Sequence, residues 1–96
     1  MATFVILSSF TDQGIRNVKD SPTRFEAFRS MADGLGVTVK SVFWTLGSYD
    51  MVVTVEGAEE AVAALLLKLG SLGNVRSQTL RAFSADEMNR ILTKML

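Results

Sequence analysis

The stretch Val42-Phe43-Trp44-Thr45-Leu46-Gly47-Ser48-Tyr49-Asp50-Met51-Val52-Val53-Thr54-Val55 constrains the fold most. Two runs of β-favouring residues flank a Gly-Ser pair. Glycine at the first central position of a two-residue loop suits a type II′ hairpin, because it takes positive φ without a Cβ clash. The spacing predicts a turn at Gly47-Ser48, with Tyr49 and Asp50 opening the returning strand. Asp50 is the odd residue, a carboxylate between an aromatic and a solid apolar strand.

The rest of the chain supplies partners for that hairpin. Thr3 to Ser8 is apolar at odd and even positions alike (Val5 and Leu7, then Phe4 and Ile6), as a strand buried on both faces reads. Phe10 to Ser21 is a connection with a helical turn beginning near Gln13. Ser21-Pro22 reads as N-cap and first helical residue of a helix over Pro22–Leu35. Its stripe is Phe25, Phe28, Ala32 and Leu35, and Gly34 or Gly36 ends it.

The hairpin strands are predicted at Val37–Leu46 and Tyr49–Glu56. A parity shift in the first suggests a bulge near Lys40-Ser41, or cover on both faces. Gly57–Leu72 is a second helix, with Glu59 and Glu60 in its first turn and Lys68 in its last. Its interior, Ala61 to Leu67, is apolar all round, which predicts burial on more than one side, against the C-terminal helix or a neighbouring subunit. Val75–Phe83 is the most polar strand. Ser84-Ala85-Asp86-Glu87 is a capping box, and it starts a helix striped by Met88, Ile91, Leu92 and Met95.

The order β-α-β-β-α-β plus a C-terminal helix is the ferredoxin-like α+β pattern, two helices on one face of a four-stranded antiparallel sheet. It forms one domain over residues 1–96. Four strands of about five residues project roughly 300 Å² per face, as large as the apolar patches common on monomers. The face without helices therefore calls for a partner sheet, predicting a homodimer of the dimeric α+β barrel type.

Composition narrows the chemistry. The chain has no Cys and no His, which removes disulfides, thiolate metal sites, the Ser-His-Asp triad and the commonest zinc and haem ligand. No cofactor and no metal site is expected. Ten basic residues balance ten acidic ones without a basic stripe, so no nucleic-acid partner is expected. No apolar run reaches the roughly 20 residues of a membrane span, and Met1-Ala2-Thr3-Phe4 lacks a basic leader. A cytoplasmic protein is the expectation.

The motif Gly47-Ser48-Tyr49-Asp50 resembles that of the GYD-domain family, small bacterial and archaeal proteins. Thr11-Asp12-Gln13-Gly14, Asp20-Ser21-Pro22, Trp44-Thr45-Leu46-Gly47, Leu69 to Arg76 and Thr79 to Phe83 resemble the family as well. The resemblance implies a relative of the dimeric α+β barrels and no settled reaction. That architecture includes cofactor-free monooxygenases, haem-degrading enzymes and ligand-sensing domains, an analogy of fold alone.

The candidate ligand-binding residues are Asp50, Tyr49, Trp44, Arg81 and Asp12. Asp50 suits an acid, a base or an anchor, or a plain acceptor for loop backbone or an Arg. Tyr49 offers a phenol, Trp44 a cleft wall or core ring. Arg81, with Arg76, suits an anionic ligand, Asp50 or a solvated edge. Asp12 belongs to a polar cluster at a pocket mouth or to a capped helical turn. Small-molecule binding or sensing by a homo-oligomer is the leading expectation. The alternatives are a structural or assembly module, and a cofactor-independent enzyme with Asp50 as acid or base.

Overall fold

A computed structural model describes all 96 residues. The elements are β1 (Ala2–Phe10), α1 (Asp12–Arg16), a 3₁₀ turn (Val18–Asp20), α2 (Ser21–Gly34), β2 (Thr38–Trp44), β3 (Met51–Gly57), α3 (Glu59–Ser71), β4 (Val75–Ala82) and α4 (Ala85–Thr93). All strand pairs are antiparallel, in the order β2-β3-β1-β4. The central strands are the two with apolar residues at both parities, and the polar β4 is an edge.

Cross-strand partners share a face, so the register sorts the side chains. Phe4, Ile6 and Ser8 of β1 face α2 and α3 together with Met51, Val53 and Val55 of β3. Phe25, Phe28, Ala32, Val62 and Leu65 close this core from the helices. The opposite face carries Phe43, Val52 and Leu7 in one row across three strands, with Val5 and Leu80 beside them. No element of the chain covers that row, and Phe43 is 63% exposed.

The register of β2 shifts between Val39 and Ser41. Lys40 is the extra residue of this bulge, which returns Val39 to the face of Val42 and Trp44. Helix α2 ends in a Schellman motif: Gly36 at φ +72° donates to Asp33 O, and Val37 N donates to Ala32 O, as a left-handed glycine allows.

Three local expectations are corrected. The hairpin does not turn at two residues: β2 ends at Trp44, β3 begins at Met51, and Thr45 N donates to Asp50 O at 2.8 Å around a four-residue loop. The Thr45 hydroxyl, donating to Tyr49 O at 2.7 Å, closes this wider loop from inside, while Gly47 keeps its positive φ of +136°. Ser21 is not the N-cap of α2 but its first residue. Asp20 holds the cap position without a side-chain bond, because the preceding 3₁₀ turn already sets Ser21 at helical φ −56° and ψ −45°, and the Ser21 hydroxyl accepts from Trp44 Nε1. Helix α3 is not covered by the C-terminal helix, the first of the two covers expected for it. Only Val62 and Leu65 are buried, and Leu67 is 76% exposed.

Candidate functional site

The hairpin end of the sheet gathers most of the candidate residues. Asp50 extends the β1–β3 pairing by donating its N–H to Ser8 O at 2.8 Å. Its carboxylate Oδ2 accepts the N–H of Phe10, also at 2.8 Å. Asp50 thus holds two positions of β1, and no Lys or Arg pairs with it. Tyr49 reaches across β1 on the uncovered face and donates its hydroxyl to Gln78 Oε1 at 2.9 Å.

Trp44 lies on the helix side of the same end. Its Nε1 donates to Ser21 Oγ at 2.9 Å, and its ring meets Phe25 edge-on at 5.8 Å between centroids. Pairing of Trp44 with Met51 sets it one residue from Asp50 along the hairpin.

Asp12 begins α1 and is exposed. Its neighbours tie the post-β1 loop to the loop before β4. Thr11 N donates to Asn74 O at 3.0 Å, and the Thr11 hydroxyl donates to Gly73 O and accepts from Gly14 N. Gln13 Nε2 donates to Leu72 O and Asn74 Oδ1. Gly14 packs so tightly that a Cβ there would lie 1.9 Å from Asn74 O. The Thr11–Gly14 block and the Leu72–Asn74 turn, far apart in sequence, are halves of one knot.

Arg81 is elsewhere. It pairs with Phe4, six register steps from Phe10, roughly 20 Å along the sheet. Its guanidinium donates to Thr3 O and Ala82 O, lies 4.4 Å from the Phe83 ring centroid and is 3.7 Å from Glu87. Arg81 orients the start of α4. Glu87 is held below the ordinary glutamate value of 4.5, first by the N–H of Ser84, then by the Ser84 hydroxyl and the charges of Arg81 and Arg90.

A cavity of about 120 Å³ lies between α2, the end of α3 and the sheet. Ile6, Phe10, Phe25, Phe28, Met31, Met51, Val53, Leu69 and Val75 are among its apolar walls, and Ser8, Ser21, Arg24 and Asn74 are its polar groups. Arg24 donates to Asn17 O at 2.8 Å and Gly14 O at 3.5 Å, joining the knot to α2. The candidate residues do not line this cavity; Trp44 touches it through Ser21. Sequence reading passed over Ser8 and Arg24. The one available signal was Ser8 at an inward parity of β1, between Ile6 and Phe10.

Sheet order, register and helices on one face define an α+β domain of ferredoxin-like topology. The GYD domain profile matches residues 4–92, and the chain belongs to that family. It is 36% identical over 90 residues to the glutamine synthetase and cystathionine beta-lyase binding protein of Thermus thermophilus, covering 92% of this chain and 95% of that one. Among solved structures, the feast or famine regulatory protein of M. tuberculosis, complexed with L-methionine, superposes with a TM-score of 0.65 at 17% identity. The match covers 88% of this chain and 52% of that one. A hypothetical protein of Pyrococcus horikoshii gives 0.61 at 20% identity, over 88% and 92% of the two chains. At these identities the two structures establish the fold alone.

Proposed function

We propose that this chain is a homo-oligomeric binding module whose small-molecule site is the cavity between α2 and the sheet. The observation that carries the reading is the cavity itself, apolar over most of its wall with four polar groups, Ser8, Ser21, Arg24 and Asn74. A few polar groups in an apolar pocket are what orient a small ligand. A dry cavity of roughly 150 Å³ holds benzene, so 120 Å³ suits a short aliphatic chain or small ring. A carboxylate on that ligand would find Arg24 at the mouth.

In this reading the candidate residues divide by role. Trp44 couples to the ligand through Ser21, and Asp12 stands beside the knot at the mouth. Tyr49 and Asp50 fix the hairpin and the end of β1 around it, and Arg81 serves α4 at the far end. Self-association belongs to the same proposal: Phe43, Val52, Leu7, Val5 and Leu80 of two copies pack sheet on sheet.

Trp44 is the single tryptophan, so its fluorescence is the readout. Titration with L-amino acids and short-chain carboxylates should give a saturable change in the wild type and none in Ser8→Leu, which fills the cavity from β1. Silence across both ligand series would overturn the small-molecule reading.

A second reading is favoured by the Thermus relative, whose name records the binding of two enzymes. Leu46, fully exposed at the hairpin tip, would then be a contact for another protein. Co-elution with purified glutamine synthetase or cystathionine beta-lyase, lost in Leu46→Ser, would support it; separate elution would defeat it.

A further inference from the structure

The geometry points to a second self-association surface, in which α4 of one copy lies in the groove between α3 and β4 of another. It is separate from the cavity and from the uncovered sheet face.

Helix α4 is built to be stable, yet its apolar stripe stays 36–77% exposed. Ser84 accepts from Glu87 N, and the Glu87 carboxylate accepts from Ser84 N, so its capping box is complete. Met88, Ile91, Leu92 and Met95 form one stripe at i, i+3, i+4 and i+7, yet no residue of α4 is buried. A nine-residue helix is marginal in water unless its apolar face finds a surface. The chain measures 51 × 31 × 19 Å with a radius of gyration of 14.6 Å, against roughly 12.5 Å for a compact domain of this length. These dimensions fit a helix that stands off the body.

The groove is open and of matching character. Val62, Ala63, Leu66, Leu67 and Gly70 line its α3 wall, and Ser77 and Thr79 line its β4 wall, around about 710 Å³. The small residues let a helix approach closely. No residue of α4 lines it.

Charge decides which copy supplies the helix. Helices α3 and α4 both start at the sheet end where Gly57 and Ala82 flank Ala2 and Thr3. Folded back over its own groove, α4 would run parallel to α3. Asp86 and Glu87 would then meet Glu59, like charge against like. The helix dipoles would also oppose that packing. Only Phe83 and Ser84 separate β4 from α4, too short a tether to reverse the helix. A second copy has no tether and enters antiparallel. Lys94 then lies by Glu59, and the two helix dipoles oppose favourably. A two-fold axis makes the exchange reciprocal.

The native chain has no cysteine, so introduced thiols give a clean test. Full-length Ala63→Cys and Ile91→Cys chains are mixed at micromolar concentration and oxidised. A disulfide joining position 63 of one chain to position 91 of the other is expected, and it should persist in a Phe43→Asp background that lacks the sheet-to-sheet contact. Lys94→Glu should slow cross-linking several-fold, and Glu59→Lys in the same chains should restore it. In the double variant Ala63→Cys/Ile91→Cys, an intrachain bond would overturn the proposal in favour of self-docking. Free thiols throughout would overturn it in favour of a different partner, and loss of the cross-link with Phe43→Asp would overturn it as a separate surface. None of these failures bears on the Trp44 titration, which reads the cavity.

Discussion

The Asp50 carboxylate accepts the backbone N–H of Phe10 at 2.8 Å, across 40 residues of sequence. With Asp50 N donating to Ser8 O, one residue fixes the register of β1 against the hairpin just where the ladder ends. Asp50→Ala leaves the Phe10 N–H without its partner and should cost about 1–3 kcal/mol in urea unfolding, while Asp50→Asn keeps an acceptor oxygen and should cost about 1 kcal/mol or less. Equal losses in the two variants would show that charge, not the acceptor, matters.

Gly14 and Gly34 should respond in opposite directions to alanine. At Gly14 the new Cβ would fall 1.9 Å from Asn74 O, so the knot must open and its Thr11 and Gln13 bonds must weaken. A loss of about 2 kcal/mol or more is expected, since overpacking and broken hydrogen bonds add. At Gly34, in the last turn of α2, nothing lies within 4 Å, and the substitution should stabilise by about 0.4–1 kcal/mol. Thermal melts separate the two readily, because 1 kcal/mol moves Tm by about 4–8 °C in a domain of this size.

Phe43→Asp tests the uncovered face. Light scattering at micromolar concentration should give the wild type a mass of at least two chains and the variant a lower one. Phe43 is mostly exposed within the chain, so the fold of the single copy should change in stability by no more than about 0.5 kcal/mol. A wild type that is monomeric at that concentration would defeat the sheet-to-sheet contact.

Helix α4 should loosen in acid. Glu87 is held below its ordinary value of 4.5 by the capping bonds from Ser84 and by Arg81 and Arg90. A carboxyl with a depressed folded value contributes stability that is fully present above its unfolded value and is lost as pH falls through the folded one. Helical circular dichroism should therefore be flat above about pH 5 and decline below 4.5, and Glu87→Gln should remove most of that dependence.

Local pattern was enough for most of the architecture. Apolar residues at both parities marked β1 and β3 as central, the parity shift at Lys40-Ser41 left a bulge or cover on both faces as its two explanations, and Ser84-Ala85-Asp86-Glu87 marked the start of α4. Each is a property of neighbours within one turn or one strand step, which is what a linear pattern records. The hairpin loop is wider than the two residues expected because the bond of the Thr45 hydroxyl to Tyr49 O leaves no trace in a propensity. Ser21 falls one place inside the helix because the 3₁₀ turn before it, Val18–Asp20, already holds it at helical φ and ψ, and its hydroxyl bonds Trp44, 23 residues away.

The site divides in the same way. The sequence by itself determined that a carboxylate and a phenol would stand at the hairpin, that neither Cys nor His could take part, and that Met88, Ile91, Leu92 and Met95 would share a helix face. Only the tertiary structure decided that the Asp50 carboxylate meets the Phe10 N–H, that Arg81 lies at the other end of the sheet, and that Gly14 touches Asn74. It alone opened a cavity beside Ser8 and Arg24 and left α4 without a surface of its own. The physical reason is that a hydrogen bond or a contact needs two groups in one place, and which two groups meet is set by the register of β1 between β3 and β4.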